Sequence, residues 1–418
     1  MICNLPKRVF RNAGRPCFIS RASVTAMLVV AMTGGAFVSD SKAATESEND
    51  TGDRLWQSFI EKYNTYSLKP LDAESLDLKA RAELLSTAGP KFRSWKPENQ
   101  ATFPAMLQAM AEKDPAVSKF DRVEKTLAAL LPKIDTYGHY KSGASVAQLK
   151  AALGQNPGKV QMSLYVTDDG YIRCDPQPDG PAELAGVKPG ARLLAVNELP
   201  VEGSDADALA LAFLGPPDSP VVVKIKQPQG KTEELTLIRT DKIFPVVTSK
   251  KTALGVTVRI RRFDQGAALA IKEQLAAYPK IGRLTLDLRG NFGGLRDEAL
   301  KTASLFFAQD TPLAQFTDKE GAQVANDTNG VIVDPASIQI LQNERTASAA
   351  EYLIAVLKEG MPEKVSLFGK KTYGKSHSTA RVILDGGGEL AVTETLLATA
   401  SGRSWDKTGI EPDQMEKE

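Results

Sequence analysis

The sequence predicts a multidomain α+β protein, and three changes of pattern along its 418 residues predict it. Apolar residues recur at helical spacing from Leu55 to about Leu153. Short β runs replace them from about Gly158 to Asp241, and strands alternate with amphipathic helices from Gly255 onward. A chain this long exceeds one ordinary core, and 42% hydrophobic with 25% charged residues describes a folded rather than a disordered chain.

The first element is a leader. Lys7, Arg8, Arg11, Arg15 and Arg21 precede the apolar run from Val24 to Val38, and Ser41-Lys42-Ala43 follows it. Charge, apolar core and small residues in that order are the marks of a secretory signal, with cleavage expected after Ala43 and an exported, periplasmic or secreted product. The run is broken by Gly34 and Gly35 and falls short of the roughly 20 residues of a spanning helix, so no lasting membrane span is expected. Loss of residues 1–43 removes six positive charges and one negative, moving the formal net charge from +1 to −4. Nothing in that balance supports nucleic-acid binding.

Cys3 and Cys17 lie in the leader, which leaves Cys174 with no partner for an internal disulfide. A lone thiol on the strand Tyr171-Ile172-Arg173-Cys174 reads as a small core residue, not a nucleophile. With His139 and His377 as the two histidines, HExxH zinc sites and multi-histidine cages are excluded. Neither a metal nor an organic cofactor is expected.

A helical segment is expected over residues 44–157. Trp56, Phe59, Ile60 and Tyr63 share one face, Val123, Leu127, Leu130 and Leu131 another, and Pro70, Pro90, Pro97 and Pro115 divide the segment into short helices. Over residues 158–242 the strands Val160 to Val166, Gly170 to Cys174, Arg192 to Val196, Val221 to Lys226 and Glu234 to Arg239 are predicted, with a short helix from Asp205 to Leu214. Gly180-Pro181-Ala182, Ala185-Gly186-Val187-Lys188-Pro189-Gly190 and Leu193-Leu194-Ala195-Val196-Asn197 together resemble a PDZ domain, with Ala191 where that family usually has Asp. The resemblance implies binding of extended chain ends by strand addition, with a carboxylate loop near Met162-Ser163-Leu164.

Residues 243–418 carry the chemistry. Strands are predicted at Val256 to Ile260, Leu284 to Leu288 and Ile338 to Leu341, and helices at Ala267 to Tyr278, Asp297 to Phe307 and Ser348 to Leu357. Ser348 begins a helix between small neighbours, Ala347, Ala349 and Ala350, which leave room for a carbonyl to approach. The backbone N–H of Ala349 faces the place where an oxyanion would form, and Gly293 or Gly294 offers a second donor from a glycine turn. Lys375 follows Gly374, with Phe368 and Tyr373 nearby as candidates to exclude water. A lysine accepts a serine proton only as the neutral amine, so its pKa must fall from near 10.4 toward neutrality. A fall of about 3 units corresponds to about 4 kcal/mol against the ammonium.

Residues 255–413 resemble the catalytic domain of the carboxy-terminal processing, or tail-specific, proteases. The resemblance rests on Asp287-Leu288-Arg289-Gly290-Asn291-Phe292-Gly293-Gly294, Thr346-Ala347-Ser348-Ala349-Ala350-Glu351, Thr372-Tyr373-Gly374-Lys375, Ser401-Gly402-Arg403 and Gly409-Ile410-Glu411-Pro412-Asp413. The five blocks stand in family order behind the PDZ-like region and Ile134-Asp135-Thr136-Tyr137-Gly138-His139-Tyr140. It implies an α/β catalytic domain of the crotonase and Clp-protease kind, with Ser348 as nucleophile, Lys375 as general base, and Ala349 with Gly293 or Gly294 as oxyanion donors. Its substrates would be proteins or peptides with exposed C-terminal tails, with an adaptor or activator as a further partner. Two positions depart from the pattern. Arg345 precedes Thr346, and Thr379 stands where the family often has a glutamine that positions the lysine; Thr379 can make one hydrogen bond, and the alternatives are reduced activity or an amine oriented by His377 or Ser378.

Departure at Thr379 motivates a catalytically weak peptide-binding scaffold on the same fold. A Ser-His-Asp scheme would use His377 with Asp385, and His377 is better read as structural or as part of the substrate rim. Asp287 and Glu351 as a glycosidase pair look architectural, with Arg289 pairing a carboxylate. Ser404-Trp405-Asp406-Lys407-Thr408-Gly409 holds both S-x-x-K and K-T-G strings, but one lysine would have to serve both, so the penicillin-binding reading is rejected.

Overall fold

A computed structural model describes residues 48–97, 101–154, 157–167, 169–177, 179–204, 206–327 and 330–415. The expected leader, residues 1–43, lies outside the described residues. Among those described, no helix is long and apolar enough to cross a membrane. Two compact units result: residues 152–241, and the helical segment through Ala151 taken together with Lys242 onward.

In the larger unit, helices α1 (Glu48–Tyr66), α2 (Ala73–Thr87), α3 (Phe103–Lys113) and α4 (Lys119–Ile134) form a bundle, followed by β1 (His139–Lys141) and α5 (Gly143–Gly154). Asp72, Thr102 and Ser118 cap α2, α3 and α4 by accepting from backbone amides in the first turn. Trp56, Phe59 and Tyr63 of α1 and Val123, Leu127, Leu130 and Leu131 of α4 are buried together, the two faces the spacing predicts. Their cluster also includes Tyr140, Leu384, Leu390 and Val392 from a β-sheet, so bundle and sheet share one core.

The smaller unit holds β2 (Met162–Val166), β3 (Ile172–Pro176), α6 (Pro181–Leu184), β4 (Ala191–Val196), β5 (Leu199–Pro200), α7 (Ala206–Phe213), β6 (Pro220–Lys226) and β7 (Thr232–Ile238). Its sheet runs β2-β3-β4-β6-β7, with β5 on β4. Cys174 is fully buried in its core. Met162, Ser163 and Leu164, the stretch expected near a carboxylate loop, open the edge strand β2. Met162 and Leu164 turn into the core because residues two apart on a strand share a face. The turn comes one residue earlier, at Gln161 with φ 51°.

Two further sheets complete the larger unit. The first is built from β8 (Val247–Thr252), β9 (Gly255–Ile260), β10 (Arg283–Asp287), β13 (Ser337–Gln342), β14 (Val365–Gly369) and β17 (Gln414–Met415), in the order β17-β14-β13-β10-β9-β8. Strands β9, β10, β13, β14 and β17 run parallel, and β8 is antiparallel to β9. Val258, Ile260, Leu284, Leu286, Ile338 and Ile340 are buried beneath helices α8 (Ala267–Ala276), α9 (Arg296–Ala303) and α10 (Ala349–Gly360). The second sheet centres on β16 (Glu389–Thr399), with β15 (His377–Ile383) along one edge. β1 and β11 (Pro312–Asp318) pair along the other, and β12 (Gly321–Asn326) closes on β11.

Candidate active site

Parallel register brings the site together. β10 and β13 are neighbours pairing Asp287 with Leu341, so the turns that follow them emerge side by side at the carboxyl edge of the sheet. Hydrogen bonds lock the two turns. Gly290 N donates to Asn343 Oδ1 at 3.0 Å, Thr346 Oγ1 to Leu288 O at 2.9 Å, and Ala347 N to Asn291 O at 2.9 Å. Beneath them the Asp287 carboxylate accepts from Arg259 at 2.8 Å and from both Nε and an Nη of Arg289 at 3.0 Å. Against the cost of burial, those guanidiniums hold its carboxyl below the ordinary range.

Ser348 ends the β13 turn with φ 57° and ψ −120°, a backbone conformation costly for a non-glycine residue, of order 1–3 kcal/mol. It immediately precedes α10, whose first-turn amides have no intrahelical acceptors, so Ala349 N–H belongs to a positive helix end. Gly293 lies against this corner. A Cβ there would meet Ala347 O, Ala349 N and Ser348 Cβ, each at 2.8 Å, while one on Gly294 would strike Phe263 O at 2.4 Å. The Gly293 amide is already engaged, donating to Asn291 Oδ1 at 2.8 Å.

Lys375 arrives on the loop after β14, the strand on the other side of β13. Glu351 joins the two. One carboxylate oxygen, Oε2, accepts from Ser348 N and from Lys375 N at 2.8 Å each. The other, Oε1, accepts from Gly374 N at 2.6 Å and Thr372 Oγ1 at 2.5 Å. Burial pushes the Glu351 carboxyl up to about 7, against these four bonds, which favour the charged form. The sequence alone marks Glu351 as architectural, in the first turn of a helix whose dipole favours its charge. The Ser-x-x-Glu spacing is a capping-box signal, but spacing gives no hint of the second loop that the carboxylate holds.

Burial first and the nearby Arg381 guanidinium second lower the Lys375 pKa, with Glu351 and Asp406 opposing, to about 8. The residue keeps some exposed area, yet protein surrounds its amine, and the amine is what titrates. Tyr373, expected to exclude water, is 41% exposed. Buried Trp405 takes that place, its Nε1 donating to Lys375 O at 3.2 Å. His377 is buried and its Nδ1 faces Asp406 Oδ1 at 3.3 Å, not Asp385. Thr379 stands at a β-bulge on β15 opposite Thr393. The Ser404 to Lys407 segment, rejected as a penicillin-binding motif, borders the lysine.

Residues 255–415 match Peptidase family S41, and residues 172–227 match the PDZ domain. The chain carries an S41 peptidase domain preceded by a PDZ domain. Two curated relatives are described as "Probable CtpA-like serine protease", one from Staphylococcus aureus (strain COL) at 29% identity and one from Staphylococcus haemolyticus (strain JCSC1435) at 32%. Each match runs over 287 residues, 67% of this chain and 56% of the relative, so the chain spans about half the length of these relatives. Among solved structures, the photosystem II D1 C-terminal processing protease superposes with a TM-score of 0.65 at 20% identity. The match covers 89% of this chain and 94% of that one, a likeness of fold. The family match and the serine-protease relatives agree with each other, and the fold likeness is consistent with both.

Proposed function

We propose that the protein is an exported serine endopeptidase that recognises substrates by their C-terminal tails and cleaves them through an acyl-enzyme on Ser348, with neutral Lys375 as general base. The observation that carries this reading is the shared Glu351 oxygen, on which the amides of Ser348 and Lys375 meet at 2.8 Å each. Lys375 draws the proton from Ser348 Oγ as the hydroxyl attacks the peptide carbonyl. The oxyanion is met by Ala349 N–H and by the Gly294 amide, Gly293 being engaged by Asn291. The Lys375 ammonium then returns its proton to the leaving amine, and the same lysine activates the water that frees the acid. The PDZ domain recruits the tail by adding it as a strand, and the leader directs export.

Purified residues 44–418 are expected to hydrolyse an unstructured protein, with Ser348→Ala and Lys375→Ala inert while folded. Activity should rise with pH through about 8 as the amine loses its proton. Equal inertness of wild type and variants across pH would leave the scaffold reading in its place.

A further inference from the structure

A cluster beside Lys375 takes no part in the proton transfers above. Residues 404–407 run as a strap along 374–377. Lys407 N donates to Gly374 O at 2.8 Å, Trp405 Nε1 to Lys375 O at 3.2 Å and Ser376 N to Asp406 Oδ1 at 3.3 Å, and the hydroxyls of Ser376 and Ser404 lie 2.7 Å apart. Asp406 extends the strap to a third part of the chain. Its Oδ1 faces His377 Nδ1 at 3.3 Å, and its Oδ2 accepts from the Tyr137 hydroxyl at 2.8 Å. The Tyr137 ring stacks on the His377 imidazole, with centroids 3.5 Å apart and planes 20° from parallel. Tyr137 belongs to the turn between α4 and β1, so the helical bundle reaches the lysine through these two rings and one carboxylate.

We propose that Tyr137, His377 and Asp406 form a positioning latch for Lys375, fixing the backbone from which its amine is presented to Ser348. The inference rests on the Ser-Lys reading above. Lys375 N is held by Glu351 and Lys375 O by Trp405, and the latch secures the residues on which the Trp405 side depends. The charges are specific. Lys375 is faced by Arg381 from β15, Glu351 from α10 and Asp406 from the strap, with His377 and His139 as its nearby imidazoles. Burial holds both imidazoles toward the neutral form, so neither cancels the Asp406 carboxylate, whose field favours the lysine ammonium. Removing that charge while keeping the shape must therefore lower the pH at which the amine becomes a base.

The test uses the full chain and a fluorophosphonate probe that labels an activated serine, with peptide hydrolysis alongside. In Asp406→Asn the acidic limb of the labelling rate is expected to move down by about 0.5 pH unit or more, since one charge facing the amine is gone. Its plateau should fall about tenfold, with kcat reduced and KM within about twofold. Tyr137→Phe keeps the stacked ring and loses the bond to Asp406, so its plateau should fall several-fold with the limb in place, which keeps the proposal open to test should the Asp406 variant not fold. Labelling that requires Ser348 and Lys375 but keeps wild-type plateau and midpoint in both variants overturns the latch. A fall in melting temperature alone, with unchanged pH profile and kcat, overturns it equally. Wild-type labelling indifferent to Lys375→Ala overturns the Ser-Lys reading first, and the latch with it.

Discussion

The role proposed for Lys375 requires that the fold disfavour its charged form, and that has a cost in stability. Its pKa is about 8 in the fold against 10.5 in the unfolded chain. Between those values the unfolded chain holds the extra proton, so stability rises with pH from 8 to 10.5, and below 8 the penalty is fully present. Lys375→Met should therefore stabilise the protein by about 1–3 kcal/mol at pH 7 after allowance for solvent screening, the gain shrinking above pH 8. Urea unfolding at several pH values measures it, and an unchanged or lowered stability at pH 7 would contradict the buried amine. Glu351 carries the opposite expectation. An amide at that position can face two of the four donors only with another donor, so Glu351→Gln should cost about 2–4 kcal/mol and abolish hydrolysis. Thermal melts with a peptide assay decide it.

The turns carry the site because they follow adjacent parallel strands. Gly293, at φ +104°, has no room for a Cβ between Ala347 O, Ala349 N and Ser348 Cβ. Gly293→Ala should push the nucleophile corner apart and reduce kcat/KM at least about 100-fold while circular dichroism stays near wild type, because a misplacement of about 1 Å at reacting atoms has that effect. A fall of less than threefold would show that the corner yields. Gly374, at φ +93°, is held against the strap by the same kind of constraint, since its Cβ would stand 3.1 Å from Lys407 C and 2.8 Å from Gly409 N. The predicted strands β9, β10 and β13 and helix α10 were legible as elements because buried parallel strands read as short apolar runs and α10 has a strong apolar stripe. β11 was not, since Pro312 to Asp318 mixes polar and apolar residues without clean alternation and its pairing with β12 is interrupted by a bulge.

At the scale of the molecule the PDZ unit has its own core, from Val160 through Leu237, and should fold when residues 157–241 are produced alone. A single cooperative melt would show it. In the full chain, amidating the C-terminus of a peptide substrate should raise KM about tenfold with little change in kcat, since tail capture contributes binding and not chemistry. Equal KM for free and amidated tails would remove the tail from the proposal. Export predicts a mature chain beginning at Ala44, which N-terminal sequencing of the secreted or periplasmic protein reads directly.

Sequence by itself determined the alternation of helical, β and mixed regions, the Gly-Gly turn, the serine at a helix start and the lysine after a glycine, because each is a local pattern set by backbone geometry and hydrophobic period. Only the tertiary structure decided what surrounds the lysine. Glu351 joins it to Ser348, Trp405 and not Tyr373 covers its backbone, and Tyr137 with Asp406 encloses His377. These partners lie far apart along the chain, and no local preference encodes a pairing that arises when parallel register and a shared core bring separate loops to one edge of a sheet.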